Sequence, residues 1–483
     1  MKKMKLILLV LFAWLLFVGY YQTTKRMPPN TDFRGKTWDV SAENIEFFYD
    51  LTYSGAGGEI VSEQTIFDQI LSLIDEAEEY ILVDAFLFNS YRRQSGTAYR
   101  QLAAELTGRL VKRKQAKPGI EIDFITDPIN TVYGGNVSEE IEKLKAAGVN
   151  VVMTDLKQLP DSNPIYSAFW RTFIQWFGNS SKAGLAPHPF DGGGQKVTLR
   201  SYLDMINFKA NHRKIFMARR GDRTTLIITS ANPHDGSAAH SNVALKITGG
   251  IWRDVYAAEA AVAAFSGGRL QGAPAAEDSI GTPPSGPVGT VFITENQIKR
   301  ELLHRIRETT AGDRIQMAYF YLSDRSVIEE LVFASERGVR IRMILDPNKD
   351  AFGFEKSGIP NRPVAEELTK RSSGRIEIRW YDTHGEQFHS KMTMIQHGGQ
   401  VSLTLGSANL TRRNLNNFNL EANVSLTIDS TASLVEEVEA YFDRIWTNRD
   451  GNHYTVGYEA YRDDATLKRI IYLVQEYGGL SSF

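Results

Sequence analysis

The feature that most constrains this chain is a set of polar residues that occurs twice with the same internal spacing. The first copy runs from Asn211-His212-Arg213-Lys214 to Ser230-Ala231-Asn232. The second runs from Phe388-His389-Ser390-Lys391 to Ser407-Ala408-Asn409. In both copies the asparagine follows the histidine by 20 positions, from 212 to 232 and from 389 to 409. Two equal copies indicate an internally duplicated chain.

The residue types in each copy suit the binding of an oxyanion. Side chains at i and i+2 of a strand leave the same face, so His212 and Lys214 should point at one spot, as should His389 and Lys391. An imidazole, an ammonium, a hydroxyl and an amide that converge on one place predict a phosphate site. The hydroxyls and amides come from the end of the next strand of each copy: Ser230, Asn232, Ser407 and Asn409.

Further repeats flank the two motifs. Residues 77–86 match residues 311–320 as helix end, acidic turn and strand, and residues 119–128 match 338–347 as alternating strands that end in Asp-Pro. Strands that alternate with helices predict an α/β fold with mixed sheets in each half. Packing of the halves about a pseudo-twofold axis would bring the two His-Lys sets together.

The length of 483 residues exceeds what one compact core usually holds, which also favours two halves. We predict a first half over residues 27–265 and a second half over residues 291–483. Between them, residues 266–290 are rich in Gly, Pro, Ser and Ala and are predicted to be a linker. Residues 1–26 are predicted to be a signal anchor that forms a transmembrane helix.

The anchor prediction rests on the first 21 residues. Three lysines precede an uncharged apolar run from Leu6 to Tyr21. Lysines on the cytoplasmic side and tyrosines at the interface favour an uncleaved anchor in a bacterial cell membrane, with the globular part outside the cytoplasm. A cleaved signal peptide is the alternative, because the run is shorter than the roughly 20 residues of a typical span.

Composition narrows the chemistry. The chain has no cysteine, which excludes disulfides, a thiolate nucleophile and a cysteine metal site. Its net charge of −2 argues against a strongly basic nucleic-acid binder, so nucleic acid is not the expected partner. The histidines at 234, 240, 384 and 389 lack the two-His helical spacing of a zinc enzyme, so no metal is expected.

The two motifs resemble the His-x-Lys signature of the phospholipase D superfamily with its downstream Ser-x-Asn, and their pairing resembles bacterial cardiolipin synthases. The family pattern also has an Asp five residues after the Lys, where this chain has Arg219 and Gln396. A family Glu about a dozen residues after the Asn is matched by Glu421, and the first-copy position is Ala244. The resemblance implies a duplicated phospholipase D-like fold and chemistry that needs neither metal nor cofactor.

Two imidazoles can cleave a phosphodiester in two displacements. One attacks phosphorus and becomes a phosphohistidine while the other protonates the leaving alkoxide, and the second then activates water or an alcohol. An unperturbed pKa near 6.5 makes both imidazole forms accessible. The predicted catalytic residues are His212, Lys214, His389, Lys391 and Glu421, and the predicted phosphate-binding residues are Ser230, Asn232, Ser407 and Asn409.

The order of attack stays open at this stage. A nucleophilic ring needs its far N–H held by an acceptor, and we expect Glu421 to do this for His389, whereas Ala244 could not for His212. That argument favours His389 as the better-oriented base. In the family, attack is often assigned to the first-copy histidine.

Three functions compete. The first is a membrane-anchored phosphatidyl-transfer enzyme that acts on phospholipid, either transferring to an alcohol such as phosphatidylglycerol or hydrolysing to phosphatidic acid. The second is a nuclease, suggested by basic residues near the motifs, and the third is a non-catalytic descendant that binds phosphate or lipid. The anchor favours a lipid substrate over nucleic acid.

An aromatic segment over residues 165–177 could be a core helix or an interfacial segment. The basic residues are Lys209, Arg213, Arg219, Arg220, Arg223, Arg412 and Arg413.

Overall fold

The structure is a computed structural model, and it describes residues 2–92, 100–182, 184–272, 287–351 and 354–481. Most of the predicted linker, residues 273–286, lies outside the described residues.

The helices follow the apolar periodicity of the sequence. In α8, for example, Ile298, Leu302 and Ile306 are buried at helical spacing. The helices are α1 (Lys2–Thr24), α2 (Ile66–Glu76), α3 (Leu102–Ala116), α4 (Glu139–Ala146), α5 (Pro164–Phe169), α6 (Leu199–Met205), α7 (Trp252–Phe265), α8 (Glu295–Glu308), α9 (Arg325–Glu336), α10 (Asn361–Arg371), α11 (Arg412–Leu415), α12 (Ser433–Trp446) and α13 (Thr466–Gly478). A π-helical turn over Trp170–Ile174 continues α5.

The strands carry most of the buried apolar residues. They are β1 (Trp38–Val40), β2 (Ile45–Ser54), β3 (Ile60–Glu63), β4 (Tyr80–Ala85), β5 (Glu121–Thr126), β6 (Asn150–Met153), β7 (Ala186–Pro187), β8 (Lys196–Val197), β9 (Lys214–Arg220), β10 (Arg223–Thr229), β11 (Asn242–Thr248), β12 (Val288–Thr294), β13 (Arg314–Tyr319), β14 (Arg340–Leu345), β15 (Asp350–Ala351), β16 (Phe354–Glu355), β17 (Ile376–Tyr381), β18 (Lys391–His397), β19 (Gln400–Gly406), β20 (Ala422–Asp429) and β21 (Thr455–Gly457).

Two large mixed sheets organise the fold. One has the order β3-β2-β11-β10-β9-β4-β5-β6, and the other has the order β1-β12-β20-β19-β18-β13-β14-β17-β21. Seven consecutive strands correspond between the sheets. In the first sheet they are β2-β11-β10-β9-β4-β5-β6, and in the second they are β12-β20-β19-β18-β13-β14-β17. In each sheet the last three of these seven are parallel and the others antiparallel. The predicted α/β fold with mixed sheets is confirmed.

The two sheets share one hydrophobic core. Leu226 and Leu245 of the first sheet belong to the same buried cluster as Leu403 and Leu426 of the second. The outer face of the first sheet packs on α2, α3 and α4, and the outer face of the second packs on α8, α9 and α10. The resulting layers are helices, sheet, sheet and helices. The beginning of the chain also crosses over, since β1 pairs with β12 of the second sheet.

The first helix stands apart from this core. α1 is apolar and long enough to cross a membrane, and most of its side chains are exposed. Its C-terminal end packs on α5, where a Cβ at Gly19 would come within 2.7 Å of the Pro164 carbonyl oxygen. Only glycine permits this close approach.

Candidate active site

Each of the two motif histidines precedes a strand and is bonded by its backbone to the opposite half. The N–H of His212 donates to the carbonyl of Leu420 at 2.8 Å, just before β20. The N–H of His389 donates to the carbonyl of Ser241 at 2.8 Å, just before β11. These paired crossings place both histidines between the two sheets.

The repeated Asp-Pro ends of β5 and β14 support the two histidine segments. Asp127 accepts the N–H of Asn211 at 2.7 Å, and Asp346 accepts the N–H of Phe388 at 2.8 Å. Both acceptors are buried, and burial raises the pKa of each carboxyl to about 7. The sequence repeat thus reflects a structural support directly before each histidine.

An aromatic ring packs beside each imidazole. The rings of Phe86 and His212 lie 4.8 Å apart between centroids, and those of Phe320 and His389 lie 5.2 Å apart. Sequence analysis did not include these phenylalanines in the site. The signal was present, because they occupy matching places in residues 77–86 and 311–320.

Both histidines line one cavity of about 260 Å³. The asparagines of both motifs, Asn232 and Asn409, line it too, and the Oδ1 atom of each is buried without a hydrogen-bond partner. Buried polar atoms normally have partners, and an amide oxygen accepts, so these two are suited to a ligand group that donates a hydrogen bond, such as a hydroxyl. Much of the remaining lining is apolar: Phe86, Leu87, Ile129, Phe190, Met205 and Phe208.

Glu421 holds His212. Its carboxylate lies 2.9 Å from Nδ1 of the His212 ring and also accepts the hydroxyl of Ser407 and the amide of Asn414. The expectation that Glu421 would hold His389 was wrong. The loop before β20 crosses to the other half, so the carboxylate of the second copy meets the histidine of the first.

His389 is held instead by an amide. Its Nδ1 lies 3.2 Å from Oδ1 of Asn242, which also accepts the hydroxyl of Ser230 at 3.1 Å. The Nδ2 group of Asn242 donates to the carbonyl of His240 at 3.0 Å, which fixes the orientation of this amide. Sequence analysis did not identify Asn242.

Strand pairing shows which first-copy residue corresponds to Glu421. The N–H of Ser230 donates to the carbonyl of Val243, and the corresponding second-copy serine donates to the residue directly after Glu421. The counterpart of Glu421 in the first copy is therefore Asn242. The expected counterpart, Ala244, was wrong because the two copies differ by two residues in this loop.

The two motif serines are buried behind the histidines. Ser230 and Ser407 are fully buried, and their hydroxyls donate to Asn242 and Glu421. Neither is among the residues that line the cavity. In this structure the two hydroxyls contact the groups that hold the histidines, and their contact to phosphate stays a prediction.

The two motif lysines are fully buried beside the histidines. Nζ of Lys214 donates to the carbonyl of His212 at 2.6 Å, and Nζ of Lys391 donates to the carbonyl of His389 at 2.8 Å. Each ammonium also lies over the adjacent phenylalanine ring, at 5.0 and 5.5 Å from the centroid. Burial lowers the pKa of Lys214 to about 7 and that of Lys391 well below its usual value.

Burial and the neighbouring charges favour the neutral form of both imidazoles. Burial lowers the pKa of His212 to about 4, although the Glu421 carboxylate opposes this. Burial, with the nearby Lys391 and His240, places the pKa of His389 well below its usual value. Burial also acts against ionisation of Glu421, but the contacts to His212 and its other partners outweigh it, so that its pKa is lowered.

Other predicted features lie away from the cavity. Arg219 bonds to the carbonyl of Gly221 and Gln396 accepts from Arg314, both near the far ends of β9 and β18. These are the two positions where the family pattern has Asp. Among residues 2–92, 100–182, 184–272, 287–351 and 354–481, no group of three or more His, Asp or Glu side chains could hold a metal ion.

Comparison with known proteins agrees with the fold. Residues 302–446 match the family model described as cardiolipin synthase, PLD-like domain. The crystal structure of phosphatidylserine synthase from Haemophilus influenzae Rd KW20 is similar over 96% of this chain and 98% of that chain, at 12% identity and a TM-score of 0.57. Nuc from Salmonella typhimurium, a phospholipase D family member, matches 33% of this chain and 95% of its own, at 16% identity and a TM-score of 0.26. No match is found among curated proteins.

The fold and the paired histidines define the class as a two-sheet α/β protein with one site built by both halves. The predicted resemblance is confirmed: residues 302–446 carry a cardiolipin synthase-type, PLD-like domain, and the fold of almost the whole chain is similar to that of phosphatidylserine synthase.

Proposed function

We propose that this chain is a membrane-anchored phosphodiesterase or phosphatidyltransferase that acts on phospholipids through a phosphohistidine. One observation carries the proposal: His212 and His389 line the same cavity, and the Nδ1 atom of each ring is held by a residue of the opposite half. This leaves Nε2 as the reactive atom of both rings.

The contacts of the two rings support different roles for them. An ionised carboxylate can only accept, so Glu421 keeps the proton on Nδ1 of His212 and leaves a lone pair on Nε2. Attack on phosphorus makes this ring cationic, and the adjacent carboxylate stabilises that charge. The amide of Asn242 offers His389 no such charge. We therefore assign His212 as the nucleophile and His389 as the acid and base.

In the first step Nε2 of His212 forms a bond to phosphorus as the bond to the leaving oxygen breaks, and protonated His389 gives its Nε2 proton to that oxygen. The negative charge of the bound diester raises the pKa of His389 and so favours its protonated form. In the second step neutral His389 takes a proton from water or an alcohol, whose oxygen displaces His212. The same negative charge raises the pKa of Lys214 and Lys391, which are buried beside the histidines, and their ammonium groups then stabilise the charge on phosphorus.

The apolar part of the lining supports a lipid substrate. A phosphodiester bound between the histidines would place its glycerol and acyl portions against the phenylalanines and aliphatic residues of the cavity. The anchor supports the same choice, because the 23 residues of α1 span about 34 Å, enough for a hydrocarbon core of about 30 Å. The lysines at its start favour a cytoplasmic N-terminus and an active site outside the cytoplasm.

The basic residues near the motifs give the nuclease alternative less support than the lipid proposal has. Arg213 is fully buried between Glu259 and Glu295, at 2.8 and 2.7 Å, and Lys209 is buried against Asp161. These cations neutralise carboxylates of the protein, which reduces the positive charge that they can offer to a nucleic-acid backbone. Three others lie at the turn between β9 and β10, away from the histidines: Arg219, Arg220 and Arg223.

The test is to incubate the purified full-length chain, without added metal, with vesicles of phosphatidylglycerol and separately with single-stranded DNA. Cardiolipin identifies transfer, and phosphatidic acid identifies hydrolysis. Cleaved DNA would replace the proposal with the nuclease, and no product from either substrate would favour a non-catalytic binder. The variant His212→Ala serves as the control for a contaminating activity.

A further inference from the structure

Exposed hydrophobic side chains are concentrated in two segments of the described globular part. The first is the aromatic segment of residues 165–177, where Trp176 is 75% exposed. The second is α13 with the residue that follows its C-cap. Its exposed face consists of Leu467, Ile470, Ile471, Val474, Tyr477 and Leu480.

The apolar face of α13 points away from the protein because polar contacts hold the opposite face. The hydroxyl of Tyr472 donates to the carbonyl of Ser323 at 2.8 Å, and the carboxylate of Glu476 accepts the hydroxyl of the same serine at 2.8 Å. Both Tyr472 and Glu476 are buried. An amphipathic helix normally buries its apolar face in the protein, so this reversed orientation requires another apolar environment.

The end of α13 lies beside the end of α1. The N–H of Asp161 donates to the carbonyl of Gln22 in the last turns of α1, at 2.9 Å. The next residue, Ser162, donates its hydroxyl to the carbonyl of Gly479 at 3.4 Å, and a Cβ at Gly479 would lie 2.0 Å from the Ser162 carbonyl oxygen. Two consecutive residues thus join the helix that is long enough to span a bilayer to the helix with the unpartnered apolar face.

We propose that α13 is an interfacial helix that lies on the bilayer surface beside α1, with its apolar face in the acyl-chain region. This rests on the anchoring stated in the proposed function. Continuity with α1 favours a lipid surface as the occupant, and the aromatic segment, which packs on α1, extends the same face. Arg413, which lines the catalytic cavity, bonds to Ser481 just after α13, so the helix also connects the bilayer surface to the site.

The absence of cysteine from the chain permits a direct test. Single variants Ile470→Cys and Val474→Cys of the full-length chain are labelled with an environment-sensitive fluorophore and mixed with vesicles that contain phosphatidylglycerol. The control is Phe333→Cys on α9, which replaces an equally exposed hydrophobic residue outside both segments. Circular dichroism melts of the three variants confirm that the substitutions leave the fold intact.

We expect the emission of the two α13 labels, but not of the control, to shift to shorter wavelength on vesicle addition. Bromine placed on the acyl chain near the headgroup should quench both labels more strongly than bromine near the bilayer centre. Emission equal to that of the control would overturn the proposal. A second result would also overturn it: a shift to shorter wavelength that is present in detergent, depends on protein concentration and is not quenched by brominated lipid. That result would mean that a second copy of the chain covers the apolar face of α13. The labels report lipid contact without turnover, so an inactive chain could still satisfy this test.

Discussion

The two histidine sites of this protein are assembled from the same parts and differ in the group that holds the ring. His212 faces the carboxylate of Glu421, and His389 faces the amide of Asn242. The supporting aspartates, the phenylalanines and the lysines correspond in the two sites. One ring contacts a charged carboxylate and the other contacts a neutral amide. A nearly symmetrical fold can therefore hold two imidazoles with different chemical properties.

The largest effects should come from replacing each histidine with alanine, which tests directly whether the two rings have different roles. We expect His212→Ala to lower kcat by about 10⁴-fold or more, because no covalent intermediate can form. His389→Ala should lower kcat by about 10²–10⁴-fold with an alkoxide leaving group. It should retain much more activity with a nitrophenyl diester, whose leaving group needs no proton.

Acid-labile phosphate located by peptide mass spectrometry checks the assignment. It should accumulate on His212 in the His389→Ala variant treated with the nitrophenyl diester. Phosphate on His389 in the His212→Ala variant would reverse the two roles.

The next effect comes from the charge that distinguishes the sites. Glu421→Gln keeps the shape but removes the charge that stabilises cationic His212, so kcat should fall by about 10²–10⁴-fold. The carboxylate raises the pKa of His212, which is about 4 in the free protein, and His212 must be neutral to attack. The acid limb of kcat/KM should therefore move to lower pH in the variant.

A pH profile of kcat/KM measures this shift, and Gln396→Glu, a charge change far from the cavity, is the matched control. An unchanged acid limb with an unchanged kcat would show that Glu421 has no part in the reaction.

The residue between His and Lys is Arg213 in the first copy and Ser390 in the second. We expect the two to contribute differently to the free energy of unfolding. Arg213 is buried between Glu259 and Glu295, so Arg213→Ala would leave two buried carboxylates unpaired and lower the free energy of unfolding by about 3–5 kcal/mol. Ser390→Ala removes one hydroxyl contact to Tyr441 and should lower it by about 1 kcal/mol. Denaturant titration measures both, and equal losses would contradict the distinction.

The smallest effect should come from making the two sites more alike. Asn242→Asp places a carboxylate beside His389 and should raise the pKa of this ring, because the negative charge favours the protonated imidazole. As the acid, His389 must be protonated, so the alkaline limb of the pH profile should move upward. Gln396→Glu, which adds a carboxylate far from the cavity, is the comparison variant. A fixed alkaline limb in Asn242→Asp would mean that another group supplies the proton.

Much of the fold could be predicted from the sequence because its signals are local. Alternating strands, amphipathic helices such as α12 and equal motif spacing are read within short windows. Of the predicted site residues, both histidines and both asparagines line the cavity. The phenylalanines and Asn242 were missed, since neither residue type carries a chemical signature of its own.

By itself, the sequence determined that two His-Lys motifs exist, how far each lies from its Ser-Ala-Asn segment and which residues alternate along the strands. Only the tertiary structure decided which group holds which ring. The loop before β20 pairs with the segment of His212 and the loop before β11 pairs with the segment of His389, so each partner comes from the other half. Counting along the chain cannot reveal such an exchange, because the contact depends on how two sheets pack and not on separation in sequence.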